Sequence, residues 1–458
     1  MSMIQISASD NVAVDTSTGH KVALKDIKSG EKVIKYSFPI GIAYKDISKG
    51  ERVHTDNIKT ALGDKLEYKY SPDFCDIPPQ TPAEIMAYVR ENGDVGIRND
   101  IWIIPTVGCV NGAARRLAEA TGAIALTHPY GCSQLGGDHA TTQKILCGLV
   151  NHPNAAGVLV LGLGCENNNI AEFKKALGEY NPKRVKFLNA QESQDDIADG
   201  IELINQLKAY ADSFKREPVP VSKLRIGLKC GGSDGLSGIT ANPLIGRISD
   251  RIISMGGACV LTEVPEMFGA ETILMNRCEN EDVFNRTVGL INNFKDYFTA
   301  HNQVIYENPS PGNKAGGIST LEEKSLGCTQ KGGRSIVTDV LDYGDTVKKS
   351  GLNLLNGPGN DMVAVTNLTA CGCQLILFST GRGTPLGAPI PTIKISTNTS
   401  LSERKPGWID FNAGEIINGQ NLDDDLFDYV LSVANGTLTA NERNGYKDIA
   451  IFKDGVTL

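Results

Sequence analysis

Between about residues 83 and 215, short apolar runs alternate with segments of helical character. Nothing else in the 458-residue chain constrains its fold as strongly. The run Ile101 to Val107 leads into Gly112 to Ala120, and Val158 to Leu161 leads into Ile170 to Leu177. A strand followed by a helix, repeated, requires a parallel sheet with right-handed crossover helices. A further strand, Arg225 to Leu228, opens another such unit that runs to the last residue. Residues 1–70 read differently. Short strand-like pieces (Val12 to Val14, Val22 to Leu24, Lys32 to Ile34) are broken by Gly and Asp, which predicts a small β domain. The Pro-rich stretch from Ser71 to Pro82 and the tetrapeptide Glu217-Pro218-Val219-Pro220 read as linkers. The fold class is therefore α/β: a small β domain at 1–70, a linker at 71–82, and α/β units at 83–216 and 223–458 with mainly parallel sheets.

Composition removes several function classes. A net charge of −8, only two Trp and no long basic run argue against nucleic-acid binding. The longest apolar stretch, Ala155 to Gly164, falls well short of the ~18 residues a membrane span needs. The N-terminus carries no basic segment followed by an apolar signal region. Eleven cysteines without a disulfide-like pattern point to a reducing compartment, so a cytoplasmic location is expected.

Three of those cysteines share one local setting: Val107-Gly108-Cys109, Tyr130-Gly131-Cys132 and Leu163-Gly164-Cys165. Each follows an apolar run and precedes polar residues. In an open parallel sheet, ligands collect at the carboxyl ends of the strands. Three thiols delivered to one such edge are candidates for a shared iron or iron–sulfur site. The alternative reading is that they are small packed hydrophobes, since free Cys is among the most buried residue types.

Two familiar motifs fail. Gly162-Leu163-Gly164-Cys165-Glu166-Asn167 lacks the third Gly of a dinucleotide fingerprint. Gly231-Gly232-Ser233-Asp234-Gly235 matches a nucleophile elbow in letters, but Leu236 to Pro243 reads as loop where the elbow needs a helix. The other glycine loops say more together. Lys229 to Asp234 offers backbone N–H groups and hydroxyls, Asn308 to Gly317 adds Lys314, and Ser379 to Pro385 adds Arg382, a candidate carboxylate clamp. Taken together they point to a small polyhydroxy anion. His20 and His128 each adjoin a Gly- or Pro-containing loop and are the histidines of most interest.

These residues carry a family resemblance. Asp10 to Val14, Gly19 to Leu24 and Pro39 to Gly41 resemble the SAF (β-clip) domain of sugar-acid dehydratases. Gly93 to Asn99, the three Gly-Cys turns, Cys230 to Asp234, Thr262 to Glu271, Asn308 to Gly317 and Thr380 to Pro385 resemble the altronate and galactarate dehydratase family across nearly the whole chain. Two departures stand out: the Val14–Gly19 segment is short for the family, and Ser7 stands where His is common. The resemblance implies dehydration of a sugar acid, D-altronate to 2-keto-3-deoxy-D-gluconate, with iron as the metal; a homo-oligomer is expected because most soluble enzymes of this kind form symmetric ones. Galactarate is the alternative substrate, and a non-catalytic sugar-acid-binding module is a third reading. The implied site assigns Arg98, Ser233, Asp234, Asn313 and Arg382 to substrate binding and His128, Lys314 and Arg382 to catalysis. The iron falls near Cys109, Cys132 and Cys165. Either those thiolates hold an iron–sulfur cluster with one iron open, or His20 and Glu166 help to ligate a single Fe(II).

Overall fold

The computed structural model describes residues 3–63 and 66–458. The N-terminal β domain comprises two small antiparallel sheets. One pairs Met3–Ile4, Val12–Asp15, Lys21–Ala23 and Arg52–Val53; the other pairs Lys32–Lys35, Phe38–Ala43 and Ile58–Lys59. Its own core is small, built on Val12, Ala23, Ile27, Val33, Ile40 and Ile47, with Leu326 and Ala270 of the C-terminal unit completing it. A core of that size stabilises weakly, so the domain depends on what it docks against.

Between Lys59 and Glu84 the described residues carry no regular structure. It is nonetheless held to the C-terminal unit: the Tyr68 hydroxyl donates to Glu271 at 2.5 Å and the Tyr70 hydroxyl to the Cys278 carbonyl at 2.8 Å. The second unit contains a parallel sheet in the order Ile124–Ala125, Asp100–Pro105, Ala155–Gly162, Val185–Asn189. The helices Asn111–Thr121 and Ile170–Leu177 fall where the apolar periodicity placed them.

One linker expectation is overturned. Arg216–Pro220 is a strand, paired antiparallel to Glu84–Val89 with Val219 opposite Ile85. It lies at the edge of a three-stranded sheet, where proline can stand because its missing N–H need not enter a ladder. Ile85, Val95 and Val219 of this sheet belong to the core of the C-terminal unit. The boundary is thus stitched to its neighbour.

The C-terminal unit contains seven described parallel strands. Their spatial order is Val337–Leu341, Gly351–Leu355, Ala258–Leu261, Arg225–Cys230, Leu375–Thr380, Thr392–Ser396, Phe411–Asn412. The two α/β units share one core: Trp102, Leu149 and Val160 pack with Val260, Val365 and Ile376. No helix among the described residues is long and apolar enough to cross a membrane.

Candidate active site

The strand order fixes where a ligand can sit. From Arg225–Cys230 the chain builds outward first to Ala258–Leu261 and only later returns to Leu375–Thr380 on the other side. The carboxyl ends of these two central strands form the switch-point crevice where open α/β sheets bind ligands. The loop Gly231 to Asp234 leaves one strand there and Gly381–Arg382 leaves the other. They are joined by the Gly381 and Arg382 N–H groups, which donate to the Gly232 carbonyl at 3.1 and 3.0 Å.

Two more glycine loops close on this crevice. Asn313 donates from Nδ2 to the Ser233 carbonyl at 2.9 Å, and Gly235 N–H donates to the Gly316 carbonyl at 2.8 Å. The β domain contributes Gly19. A Cβ at Gly235 would lie 1.9 Å from the Gly19 carbonyl oxygen, and one at Gly317 would lie 2.3 Å from it. Only glycine permits this approach of three backbones. Gly235→Ala therefore forces the β domain off its seat, at a cost of about 1–3 kcal/mol. A lowered thermal unfolding midpoint and faster amide exchange in residues 12–23 will report it.

The loops enclose a polar cavity of about 630 Å³ whose lining includes Thr16 to Gly19, Asp234, Gly316, Arg382 and Arg404. Arg382 is exposed, and its guanidinium makes one long contact among the described residues, 3.4 Å from Nη1 to the Gly312 carbonyl. His20 follows the lining residue Gly19, and its backbone nitrogen lies near Gly317. Its Nδ1 is buried without a hydrogen-bond partner, and its ring stands edge-on to His54 at 5.2 Å. Burial and the nearby Lys21 ammonium hold the His20 pKa below the usual imidazole value, which favours the neutral ring. Asp234 is a brace: its carboxylate accepts from the Thr397 hydroxyl at 2.9 Å and from Asn398 Nδ2 at 3.1 Å. Lys314 is half-buried on the short helix Pro311–Ala315 beside the cavity.

The β domain is fastened beside the cavity by a buried ion triad. Lys21 Nζ lies 2.8 Å and Lys35 Nζ 2.9 Å from the two oxygens of Glu323, and Lys21 also donates to the Gly317 carbonyl at 2.7 Å. Burial would raise the Glu323 pKa, but the two ammoniums outweigh it and hold it down to about 2. One carboxylate cannot neutralise two cations, and burial pulls Lys21 down to about 8.

Behind the Gly231–Asp234 loop lies a second set of titratable groups that the sequence reasoning missed. Cys230 Sγ is 2.9 Å from Lys331 Nζ, 3.4 Å from Cys328 Sγ and 3.2 Å from Glu266 Oε2. Lys324 pairs with Glu266 at 2.8 Å; Lys229 pairs with Asp361 at 2.7 Å and contacts Glu263. The Cys328 hydrogen bond and Lys331 hold the Cys230 thiol down to about 6 against burial. Burial and the adjacent Glu266 push Glu263 well up. Glu263 also sits at φ 70°, a left-handed backbone that a non-glycine residue adopts at a cost. The available signal was the run Thr262 to Glu271, with three acids following a strand. This set opens onto a larger cleft of about 940 Å³ that also touches Tyr130, Asn360 and Phe452.

Cys230, Glu266 and Cys328 are the tight set of potential ion ligands among the described residues, their ligand atoms within 4.8 Å of one another. They do not suit a divalent ion. Lys331 and Lys324 already sit on the donor atoms, 2.9 Å from Cys230 Sγ and 2.8 Å from the Glu266 carboxylate, and Lys229 adds a third ammonium beside Glu263 and Asp361. A divalent ion there would have to displace these ammoniums from the donor atoms or face them in a buried site.

The structure thus brings His20, Ser233, Asp234, Asn313, Lys314 and Arg382 together and leaves the other predicted residues elsewhere. Arg98 is a staple: its guanidinium holds Glu442 at 2.6 Å and the carbonyls of Val433 and Thr437 at 2.9 Å. His128 has both ring nitrogens engaged, Nε2 on the Pro105 carbonyl at 2.8 Å and Nδ1 accepting from Tyr130 N–H at 3.1 Å. It fixes a turn and has no atom left to shuttle protons. Glu166 accepts from the Thr106 hydroxyl at 2.6 Å and from Leu163 and Gly164 N–H at 3.0 and 2.6 Å, so it braces its own turn and does not meet His20. Cys109, Cys132 and Cys165 lie on the sheet rim of the second unit, and all three are exposed.

Comparison with known proteins covers the chain in three successive stretches. Residues 2–61 match the altronate/galactarate dehydratase SAF domain, 87–212 the D-galactarate dehydratase/altronate hydrolase second domain, and 221–457 the D-galactarate/altronate dehydratase C-terminal domain. Altronate dehydratase of Escherichia coli (strain K12) is 52% identical over 495 aligned residues, covering 100% of both chains. Altronate dehydratase of Bacillus subtilis (strain 168) is 55% identical over 97% of this chain and 93% of its own. Galactarate dehydratase (L-threo-forming) of E. coli is more distant, 31% identical over 91% of this chain and 86% of its own.

Proposed function

The chain belongs to the altronate/galactarate dehydratase family, and from that premise we propose that it dehydrates D-altronate to 2-keto-3-deoxy-D-gluconate in the cavity between the β domain and the sheet switch point. The observation that carries this reading is the convergence of the four glycine loops on a polar cavity lined by Arg382 and Arg404, with the unpartnered imidazole of His20 next in sequence to the lining residue Gly19. The reaction is a hydro-lyase elimination, and galactarate is the less favoured substrate because the relative that dehydrates it is far more distant than the two altronate enzymes. The eleven free cysteines favour a cytoplasmic setting.

Dehydration of a 2,3-dihydroxy acid must solve two charge problems. Loss of the C2 proton leaves charge on the carboxylate, and loss of the C3 hydroxyl places charge on the departing oxygen. Arg382, with Arg404 across the cavity, binds the carboxylate and stabilises the charge that grows there, an effect of about 2.7–4 kcal/mol for one well-aimed donor. His20, neutral and shielded, removes the C2 proton. The C–H electron pair forms the C2–C3 double bond as the C3–O bond breaks, and Lys314 delivers a proton so that water departs. The enol then ketonises.

Arg382→Lys keeps the charge and loses the planar fork, so KM should rise about 10- to 100-fold, the equivalent of a charged hydrogen bond of about 1.5–3 kcal/mol, with kcat less affected. Near-normal kinetics would remove Arg382 from the carboxylate. The reading as a whole is tested by 2-keto acid formation across a panel of aldonates and aldarates. D-altronate should be turned over fastest, and an enzyme that binds the acids without turning any over would sink it.

A further inference from the structure

We propose that Cys230 and Cys328 form a peroxide-reactive pair, in which Cys230 attacks a hydroperoxide and Cys328 closes a reversible disulfide. This goes beyond the dehydration reading and does not depend on it.

Cys230 ends the strand Arg225–Cys230 and Cys328 ends the helix Leu321–Cys328, so two separate elements deliver sulfur to one point. The sulfurs are 3.4 Å apart, already in van der Waals contact. Lys331 is buried, and its Nζ makes its one hydrogen bond among the described residues to Cys230 Sγ, at 2.9 Å. A buried ammonium needs a facing anion, and among the described residues no carboxylate forms an ion pair with Lys331. The sulfur that it faces is therefore held as the thiolate, the form that attacks peroxides.

The other charged groups facing Cys230 do not undo this. Glu266 lies 3.2 Å from the sulfur but is itself paired with Lys324, while Lys229 and Glu263 meet the Cys230 backbone. The Cys328 hydrogen bond and Lys331 prevail over burial and Glu266, and the Cys230 thiol is drawn down to about 6. The same hydrogen bond, with burial, pushes Cys328 well up, so it keeps the proton that a resolving thiol must give away. Access comes from the cleft of about 940 Å³, which Cys230 lines together with Gly231, Gly232 and Lys324.

A second close pair marks the contrast. Cys371 and Cys373 have sulfurs 3.6 Å apart, but they sit in the apolar core with Trp102 and Ile376, and neither lines that cleft. Burial pushes the Cys373 thiol well up.

The chemistry balances in two steps. The Cys230 thiolate bonds to one peroxide oxygen, the O–O bond breaks, and hydroxide leaves and takes a proton from water in the cleft. Sulfur is oxidised to sulfenic acid and the peroxide is reduced. Cys328 then attacks that sulfur: an S–S bond forms, the S–O bond breaks, and the hydroxyl departs as water with the Cys328 proton.

The test treats the native full chain with hydrogen peroxide, unfolds it with iodoacetamide present, and maps unreduced peptides by mass spectrometry. Expected is a disulfide joining the Cys230 and Cys328 peptides, two hydrogens lighter than the separate thiols and reversed by dithiothreitol. Site-resolved mapping keeps oxidation of the exposed Cys109, Cys132 and Cys165 apart from this signal. Cys328→Ser, with an unchanged far-ultraviolet circular dichroism spectrum, should instead accumulate a Cys230 sulfenic acid that dimedone traps. In the native chain the rate should climb with pH through about 6, and in Lys331→Met that midpoint should move up. Recovery of both Cys230 and Cys328 as alkylated thiols overturns the proposal, as does a Cys371–Cys373 disulfide that forms first.

Discussion

His20→Gln should lower kcat by about 10²- to 10⁴-fold, the usual contribution of a positioned general base, while KM for the sugar acid changes little. Glutamine keeps a polar group next to Gly19, so the Gly19–Gly235–Gly317 contact survives and the loss lies in proton transfer alone. The pH profile supplies an independent check. The base works only when neutral, and burial and Lys21 lower its pKa below that of an ordinary imidazole. The acid limb of kcat/KM in the native enzyme should therefore fall below the usual histidine range, so activity persists into mildly acidic solution. In the variant that limb should disappear along with most of the rate. A His20→Gln enzyme with native kcat and an unchanged limb would place the base elsewhere. Asp361, at the mouth of the other cleft, would then be the next group to replace.

Glu323→Ala should cost about 3–5 kcal/mol, because it strands two ammoniums in a buried site. Lys21 and Lys35 have side-chain exposures of 0% and 1%, so water cannot take over the role of the carboxylate. The loss should appear as a lower urea midpoint and as early exchange of amides in residues 12–59, since the β domain is what the triad fastens. Lys21→Met should cost much less. Lys35 alone then neutralises Glu323, and the cation whose pKa burial has already pulled down to about 8 is gone.

The pH dependence of this seam has a definite sign. Glu323 is depressed to about 2, so its contribution is complete above the ordinary glutamate value and is lost as pH falls towards 2. His54, buried with Nδ1 against the Ser319 hydroxyl at 3.0 Å, is depressed to about 4. The unfolded chain binds a proton there between about 6.5 and 4 while the folded chain does not, so stability falls as pH drops through that window. Both terms act in one direction. Acid should release the β domain before it melts the two α/β units, and a single coincident transition by calorimetry and by amide exchange would refute this.

Much of the architecture was open to reading because it rests on local periodicity. Apolar runs of four to eight residues followed by helical stretches can satisfy their backbones only as a parallel sheet with helices on its faces. The observed helix Ile170–Leu177 coincides with the predicted segment. The one failure at that level, Glu217 to Pro220, has a local cause: proline reads as a breaker, and only the neighbouring strand Glu84–Val89 shows that this segment lies at a sheet edge where a missing N–H does no harm.

The site was less legible, and unevenly so. Arg382, Lys314, Asn313 and Ser233 could be found because glycine loops after strands announce a ligand by their backbone chemistry. Arg98 and Glu166 misled for the opposite reason. A buried Arg and a buried Glu look alike in sequence whether they bind a ligand or hold a turn, and the difference lies in which carbonyls and N–H groups surround them. Cys230 was passed over as part of a loop because its partners Glu266, Cys328 and Lys331 are 36 to 101 residues away.

By itself the sequence determined the strand–helix alternation, the family, and the glycine positions that let backbones touch, because each is written in neighbouring residues. Only the tertiary structure decided that the β domain's Gly19 meets Gly235 and Gly317 and that Cys230 sits among three lysines. Those are matters of through-space distance and dielectric, set by how sheets pack and where their strands end.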